Sequence, residues 1–327
     1  MAAFLARRFL NYLGLIVLAS SLAYALAATA LDPRANYTDR RPPPPPAVVE
    51  ATLSSLNLND HEPLIQRYGV WITGVLHGDF GRTWEGESIN AQMGRRMGVS
   101  LRLLLLGVVL GSVTGVLVGA YSALRQYRPV DRSITVLSFA VLATPTFVLG
   151  TALSIAATWV NQRAGTKIFS ISGEATPGLE GGLIAHLADR AGHLAIPTLT
   201  VALGQIAVYS RYQRAMMLDV LGADYVRTAL AKGLRRRTAM LKHALRTALI
   251  PAATFFAYGF GLLLVGSTFT EKIFGWHGMG AWFVDSINRQ DTNAVAAVTL
   301  FSAVLVLLAG LLSDVFYAIL DPRVRVR

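Results

Sequence analysis

The sequence predicts an all-α polytopic membrane protein with six transmembrane helices. Its composition and its apolar stretches support this prediction, and the absence of cysteine excludes several other classes. The 327 residues are 53% hydrophobic and 15% charged, whereas soluble domains carry about a quarter charged residues. Six apolar stretches contain no Asp, Glu, Lys or Arg, and each is close to the roughly 20 residues that a membrane span requires. Cysteine is absent, which excludes disulfide frameworks, thiol nucleophiles and Cys-ligated metals. The stretches are 9–31, 103–124, 133–162, 194–210, 247–270 and 292–313.

The first apolar stretch has two readings. Arg7 and Arg8 precede it and small residues end it, as in a secretory signal peptide. The stretch is longer than the roughly 7 to 15 apolar residues of a signal peptide. We therefore interpret it as an uncleaved transmembrane helix.

The placement of basic residues predicts the orientation of the chain. Lys and Arg number 30 against 19 Asp and Glu, which gives a net charge of +11. Because cytoplasmic loops carry the excess of Lys and Arg, both termini are expected in the cytoplasm. The charge then reflects topology and anionic inner-leaflet lipid, and nucleic acid is not expected as a partner. The cytoplasmic basic residues are Arg7, Arg8, Arg125, Arg128, Arg132, those between 211 and 246, Arg323, Arg325 and Arg327.

The chain is expected to divide into four parts. Residues 1–31 form the cytoplasmic N-terminus and the first transmembrane helix. Residues 32–100 form a small extracytoplasmic cap, in which a proline-rich linker at 42–46 precedes two helical segments, 47–58 and 64–76. Residues 101–318 contain the other five transmembrane helices, and 319–327 form a basic cytoplasmic tail. The five helices are expected at about 103–124, 134–159, 194–212, 248–268 and 293–316, and a cytoplasmic loop at 213–246.

Small residues and prolines mark how these helices pack. Four glycines at four-residue spacing lie on one face of the second span, where another backbone can approach closely. That backbone belongs either to this chain, which we favour, or to a partner subunit. Prolines in or beside the third, fourth and fifth spans predict kinks. The glycines are Gly107, Gly111, Gly115 and Gly119, and the prolines are Pro145, Pro197 and Pro251.

The sequence lacks the motifs of several enzyme classes. None of its lysines follows glycine, so no phosphate-binding P-loop is present. H-E-x-x-H and G-x-S-x-G are also absent, and we predict no catalytic, cofactor-binding or metal-binding residue. The spans lack the acidic and basic groups that ion-coupled carriers place inside the membrane. If the protein moves a solute, the energy is expected to come from outside the chain.

The cytoplasmic loop between Arg211 and Arg246 carries apolar residues at helical spacing on both sides of Gly233. This pattern predicts two short helices with a break at the glycine. An amphipathic helix of this kind inserts into a groove on a soluble partner or lies on the membrane with its arginines on lipid phosphates. The residues alone support both readings equally.

A series of motifs resembles the permeases of ABC importers. Residues 224–234, D-Y-V-R-T-A-L-A-K-G-L, followed by H-A-L-R at 243–246, resemble the EAA loop of these permeases. The form is similar to that of oligopeptide and dipeptide permeases of the OppB/DppB type. Further segments resemble the same type in order along the chain, at 78–81, 144–147, 193–197, 271–280 and 320–325.

The resemblance implies the type I ABC importer permease (MetI-like) fold with a small extracytoplasmic helical insertion. It implies ATP-driven import of oligopeptides or dipeptides across the cytoplasmic membrane. The implied partners are a homologous second permease in a heterodimer, two ABC ATPases or one fused tandem ATPase that bind ATP and Mg²⁺, an extracytoplasmic peptide-binding protein, and the lipid bilayer. Nickel or glutathione is an alternative cargo. An ion-coupled carrier or a non-transporting scaffold is disfavoured by the uncharged spans and the loop motif.

The resemblance also assigns residues to two roles. The loop would contact an ATPase, and the small residues Ala229 and Gly233 would allow a close fit. Residues on and after the fifth span are candidates for lining or gating the pathway, with helix packing as the alternative. The expected ATPase-coupling residues are Tyr225, Arg227, Thr228, Ala229, Lys232, Gly233 and Leu234, and the pathway candidates are Tyr258, Phe260, Thr268, Thr270 and Glu271.

Overall fold

The computed structural model describes residues 2–38, 40–240, 244–245, 247–249 and 267–320. These residues are mainly helical, and their β pairing is limited to one bridge between Arg82 and Ser88, which confirms the predicted all-α class. A further helical segment covers 267–273. The named helices are α1 (Ala2–Ala30), α2 (Ala35–Thr38), α3 (Pro46–Ser55), α4 (Leu64–Leu76), α5 (Ile89–Leu124), α6 (Pro129–Ala143), α7 (Thr146–Ala164), α8 (Leu183–Leu221), α9 (Asp224–Ala231), α10 (Arg236–Ala239), α11 (Met279–Asn288) and α12 (Thr292–Leu320).

Several of these helices are long and apolar enough to cross a membrane. Within the described part of the chain they are α1, α5, α8 and α12, and the bent pair of α6 and α7 would make a fifth span. The remaining expected span, 247–270, lies mostly outside the described residues. Helix α8 has 39 residues, which is about 58 Å at 1.5 Å per residue. It is therefore about twice as long as the hydrocarbon core is thick.

The third expected span, 134–159, is broken into two helices. Helix α6 ends at Ala143, α7 begins at Thr146, and the helices are bent by 110°. Pro145 cannot continue the hydrogen bonds of a helix, and the residue before a proline avoids helical geometry. Thr144 is accordingly extended, with φ −92° and ψ 122°. The kink expected at this proline is thus a complete break.

The chain separates into two compact units, one of Met1–Ser100 with His277–Leu308 and one of Leu101–Trp276 with Ala309–Arg327. This differs from the expected division, which grouped 277–308 with the five-helix core. Hydrogen bonds account for the difference. The amide of Asn293 donates to the carbonyls of Leu56 and Arg82, at 2.9 and 3.0 Å, so the start of α12 belongs with the outer segment.

The first unit contains two small cores. Tyr24 of α1 stacks on Trp71 of α4, with ring centroids 4.8 Å apart. In the outer segment, Leu53 and Leu58 are fully buried and pack with Tyr37. Helix α3 begins at the last proline of the run, a position where the missing N–H costs nothing. The predicted helical segments of the cap therefore exist as α3 and α4.

Asp291 caps the N-terminus of α12 in this unit. Its carboxylate accepts hydrogen bonds from the backbone N–H groups of Ala294 and Trp84, both at 3.1 Å. Burial raises the pKa of Asp291 to about 6, although these two hydrogen bonds oppose the shift. The outer segment is thus attached to α12 through a buried acid.

In the second unit, the four glycines of α5 lie against α8. A Cβ added at Gly111 would lie 2.5 Å from Cβ of Gln205 and 2.8 Å from the carbonyl oxygen of Ala202. A Cβ at Gly107 would lie 2.6 Å from Cγ1 of Val201. Gly115 and Gly119 meet α8 one and two turns further along in the same way. The close approach allowed by this seam is therefore used within the chain.

Candidate functional site

The centre of the candidate site is α9, the first short helix of the cytoplasmic loop. Asp224 lies in its first turn, where a carboxylate stabilises a helix. The helix ends at Ala231, and Gly233, two residues later, has a φ of +84°. The N–H of Gly233 donates to the carbonyl of Leu230 at 3.0 Å, and that of Leu234 to the carbonyl of Ala229 at 3.2 Å. This pattern is a Schellman motif, which glycine accommodates best.

One face of α9 is anchored to the ends of longer helices. Val226 is buried in a cluster with Ala123 of α5 and Met217 of α8. Ala244, just before the fifth expected span, and Ala248, at its start, belong to the same cluster. A displacement of α9 would therefore act directly on the ends of α5 and α8.

The rest of the surface of α9 is open, and Tyr225 and Leu230 lie at the two edges of the buried face. Tyr225 is 45% exposed and Leu230 is 39% exposed. Such half-exposed apolar side chains beside positive charge suit the groove of a soluble partner. Leu234 is half-buried. The other expected coupling residues that are exposed are Arg227, Thr228, Lys232 and Gly233.

The two small residues of the expected coupling set occupy different environments. Ala229 is 7% exposed and lies on the buried side of α9. A Cβ at Gly233 would meet no atom within 4 Å, so space within the chain does not explain the glycine. The positive φ explains it, because residues with a Cβ adopt this conformation at a cost. Gly233 therefore sets the backbone direction after α9.

A buried ion pair between Asp131 and Arg214 lies at the same ends of α5 and α8, and no local pattern in the sequence predicts it. Asp131, at the start of α6, is 2% exposed. Arg214 of α8 binds it with both arms, through Nε at 2.7 Å and Nη2 at 2.8 Å. The hydroxyl of Ser122 and the N–H of Tyr127 also donate to this carboxylate. We call this arrangement the Asp131 clamp, and it joins α5, α6 and α8.

The sequence contains little that predicts the Asp131 clamp. Asp131 lies among Arg125, Arg128 and Arg132, where it reads as one acid in a basic loop. Its partner Arg214 is 83 positions away, beyond the reach of local patterns. An acid in the first turn of a helix is also explained locally by its interaction with the helix dipole. The sequence therefore gives no reason to expect a distant partner such as Arg214.

The pathway candidates are only partly described. Tyr258 and Phe260 lie outside the described residues. Thr270 and Glu271 are fully buried, and Thr268 is half-buried. Neither Thr270 nor Glu271 therefore faces an open surface in this arrangement.

The segment after these candidates is fixed by the loop between α7 and α8. The carbonyl of Phe274 accepts from the N–H of Gly173 at 2.8 Å, and the carbonyl of Gly173 lies 2.9 Å from Nδ1 of His193. Gly275 has a φ of +61°. Two of the motifs noted in the sequence, at 193–197 and 271–280, thus meet around one turn. Within the described residues, no group of three or more His, Asp or Glu side chains is arranged to hold a metal ion.

Comparison with known proteins gives the family. The model of the binding-protein-dependent transport system inner membrane component family matches residues 115–326. The chain belongs to this family. The matched residues include the C-terminal end of α5 from residue 115, the Asp131 clamp and the whole of α9.

Individual relatives match over the full length. The chain is 54% identical to the oligopeptide transport system permease protein OppB of Mycobacterium tuberculosis over 326 residues, which is 100% of both chains. It is 33% identical to the oligopeptide permease protein AppB of Bacillus subtilis, over 99% of each chain. It is 30% identical to the dipeptide permease protein DppB of the same organism, over 99% of this chain and 98% of that one. The likeness to OppB thus includes the outer segment that precedes the family match.

Family membership and the long apolar helices agree on the type of protein. The chain is a multi-pass membrane protein of a transport family, and its relatives are permease subunits. The names of the relatives describe parts of multi-component systems. The chain is therefore expected to work with other subunits.

Proposed function

We propose that this chain is a membrane-spanning permease subunit of an ATP-driven importer for oligopeptides or dipeptides. The observation that carries the proposal is the 54% identity to an oligopeptide permease over the whole of both chains. The dipeptide permease relative supports the same class of cargo. The permease catalyses no reaction itself in this proposal, because hydrolysis of ATP occurs on other subunits.

The proposed complex has four kinds of component. A homologous second permease pairs with this chain, and an extracytoplasmic binding protein delivers the peptide. Two ABC ATPases, or one fused tandem ATPase, bind ATP and Mg²⁺ on the cytoplasmic side. Both termini and α9 then lie in the cytoplasm, as the excess of Lys and Arg in these segments favours. The domain division follows the same orientation, with 32–100 outside the cytoplasmic membrane and 213–246 inside the cell.

We propose that α9 transmits the movement of the ATPase. Its exposed surface, which Tyr225 and Leu230 border on two sides, enters a groove on the ATPase, and Arg227 and Lys232 contact the polar rim. Val226 passes the displacement to the ends of α5 and α8. Long packed helices move as rigid bodies, so a shift at the cytoplasmic side changes access to the peptide pathway. Tyr258, Phe260 and Thr268 remain candidates for that pathway.

The cargo has a defined alternative within the same architecture. Nickel or glutathione would use the same coupling helix, since α9 does not contact the cargo. Uptake competition separates these cargoes. Labelled tripeptide uptake should be inhibited by excess dipeptide or tripeptide and unaffected by nickel or glutathione, and the reverse pattern would reassign the cargo.

The coupling role is tested by affinity purification of the assembled transporter from detergent extract. Leu230→Asp places a charge on the exposed face of α9, so the amount of co-purified ATPase should fall at least tenfold while the second permease is retained. Ile65→Asp, at an exposed position of α4, serves as the matched control and should retain both partners. Full retention of the ATPase by Leu230→Asp would refute the proposed contact.

A further inference from the structure

A groove of about 530 Å³ lies between α6 and α8. Its walls are apolar, from Phe139 and Leu142 of α6 and Val208 of α8. Phe139 is 51% exposed and Leu142 is 39% exposed, so these side chains leave an open apolar surface. The hydroxyls of Ser138 and Ser210, 3.1 Å apart, hold the two helices together beneath it.

The cytoplasmic end of the groove is cationic. Arg211 lies over the ring of Phe139, with its guanidinium carbon 3.9 Å from the ring centroid. No carboxylate among the described residues pairs with Arg211. Arg214 also lines this end, but Asp131 already compensates its charge. Arg211 therefore brings one uncompensated positive charge to an otherwise apolar groove.

The groove lies at a defined depth in the proposed orientation. Phe139 is about five residues inside the expected third span, which corresponds to about 8 Å along a helix. Arg211 lies at the cytoplasmic end of the expected fourth span. The apolar walls thus face the acyl chains of the inner leaflet, and the guanidinium group reaches the level of the lipid phosphates. Basic pockets between helices on the cytoplasmic side bind anionic headgroups.

We propose that the groove between α6 and α8 binds an anionic phospholipid of the inner leaflet, with its phosphate on Arg211 and an acyl chain along Phe139, Leu142 and Val208. The planar guanidinium group forms two parallel hydrogen bonds with phosphate. Tyr212, next to Arg211 in the sequence, also lines the groove. This inference uses the proposed orientation of the chain and does not depend on the cargo.

The position of the groove connects the lipid to coupling. Arg214 borders the groove and also holds Asp131 in the clamp. A lipid phosphate beside Arg211 lies one helical turn from Arg214 on α8. Anionic lipid therefore stabilises the cytoplasmic ends of α6 and α8, and α9 packs against the end of α8.

The test is a lipid titration of the purified, assembled transporter, followed by native mass spectrometry. The probes are dioleoyl phosphatidylglycerol and dioleoyl phosphatidylcholine. Phosphatidylglycerol should bind the wild type at least fivefold more tightly, and Arg211→Gln should weaken that binding about fivefold, which is the expected effect of one basic residue. Arg211→Lys keeps the charge and should bind within about twofold of the wild type.

Arg125→Gln is the matched control. Arg125 also lies over an aromatic ring, that of Tyr121 at 5.9 Å, near the cytoplasmic end of α5, but it does not line the groove. Its replacement should leave phosphatidylglycerol binding unchanged. Equal weakening by both glutamine variants would show a general attraction of basic residues to lipid and overturn the specific site. Equal binding of the two lipids would overturn it as well.

A cross-link identifies the occupant of the groove. The chain has no cysteine, so Val208→Cys is its sole thiol, and it can carry a maleimide benzophenone in a transporter whose other subunits lack reactive thiols. Illumination in phosphatidylglycerol-containing membranes should give a lipid adduct on this chain. An adduct with the second permease instead would show that the groove is a protein interface and would refute lipid binding.

Discussion

The carboxylate of Asp131 binds α5, the loop after α5 and α8 at one place. Its carboxylate receives hydrogen bonds from α5, from the loop that follows α5, and from both arms of Arg214 on α8. A buried charge with so many donors is favourable only while its partners remain in place. The residue therefore fixes the relative positions of the helix ends that carry α9.

Asp131→Asn should destabilise the protein, because it leaves the Arg214 guanidinium without a counter-charge. Loss of one partner of a buried pair costs about 3–5 kcal/mol, and the partial exposure of Arg214 reduces this to about 2–3 kcal/mol. The free energy of unfolding in a denaturant titration measures the effect. Glu85→Gln breaks the exposed pair between Arg289 and Glu85 at 3.1 Å and should cost about 0.5 kcal/mol. Similar losses for the two variants would contradict a stabilising clamp.

The buried carboxyl group of Asp291 predicts that the stability of the protein depends on pH. Its pKa rises from 3.8 to about 6 on burial, so the folded protein favours the protonated acid. The associated stability is fully present below pH 4 and is lost as the pH rises through about 6. The thermal unfolding midpoint of the purified protein should therefore fall between pH 4 and 6. Asp291→Asn should remove this part of the pH dependence, and an unchanged profile would show that another group causes it.

The pair of α5 and α8 shows what helix patterns predict and what they omit. Glycines at four-residue spacing indicated a close helix contact, and the structure places all four against α8. The sequence did not predict which helix lies opposite, because the glycine spacing describes the surface of α5 only. The length of α8 was also underestimated, since the apolar stretch ends at Ser210 while the helix continues to Leu221. Hydropathy indicates which residues lie in the hydrocarbon core, and it does not give the full length of the helix.

Gly111→Ala should push α5 away from α8. The added Cβ would lie 2.8 Å from the carbonyl oxygen of Ala202, and overpacking of this kind costs about 1–3 kcal/mol. The thermal midpoint of the assembled transporter reports the loss. Gly98→Ala lies in the same helix, where a Cβ meets nothing within 4 Å, and it should be neutral or slightly stabilising. A neutral Gly111→Ala would mean that the seam is looser than the structure indicates.

The third span illustrates a limit of local rules. A proline in a span predicts a kink, but it does not predict the angle of that kink. The bend of 110° at Thr144 and Pro145 depends on how α6 and α7 pack separately on α8, which is a tertiary property. The burial of Val226 has the same origin. Its position in α9 was predictable, but it is buried against Met217 and Ala123, far away in the sequence.

For the molecule as a whole, the sequence sufficed for the class and the family. Apolar stretches are local and long, so spans and the all-α class follow from them, and the motif series pointed to the family that the comparison identified. The grouping of 277–308 with the outer segment did not follow, because it depends on contacts such as those of Asn293 with Leu56 and Arg82. The proposed ATP-driven import requires partner subunits, because the sequence contains no P-loop that could bind ATP.

Transport by reconstituted vesicles tests the central claim most directly. The assembled transporter, with its ATPases, second permease and loaded binding protein, should accumulate labelled tripeptide only when ATP and Mg²⁺ are supplied on the cytoplasmic side. Vesicles that contain this chain alone should not accumulate the peptide above the external concentration. Accumulation by the isolated chain, in the presence or absence of an ion gradient, would contradict the account.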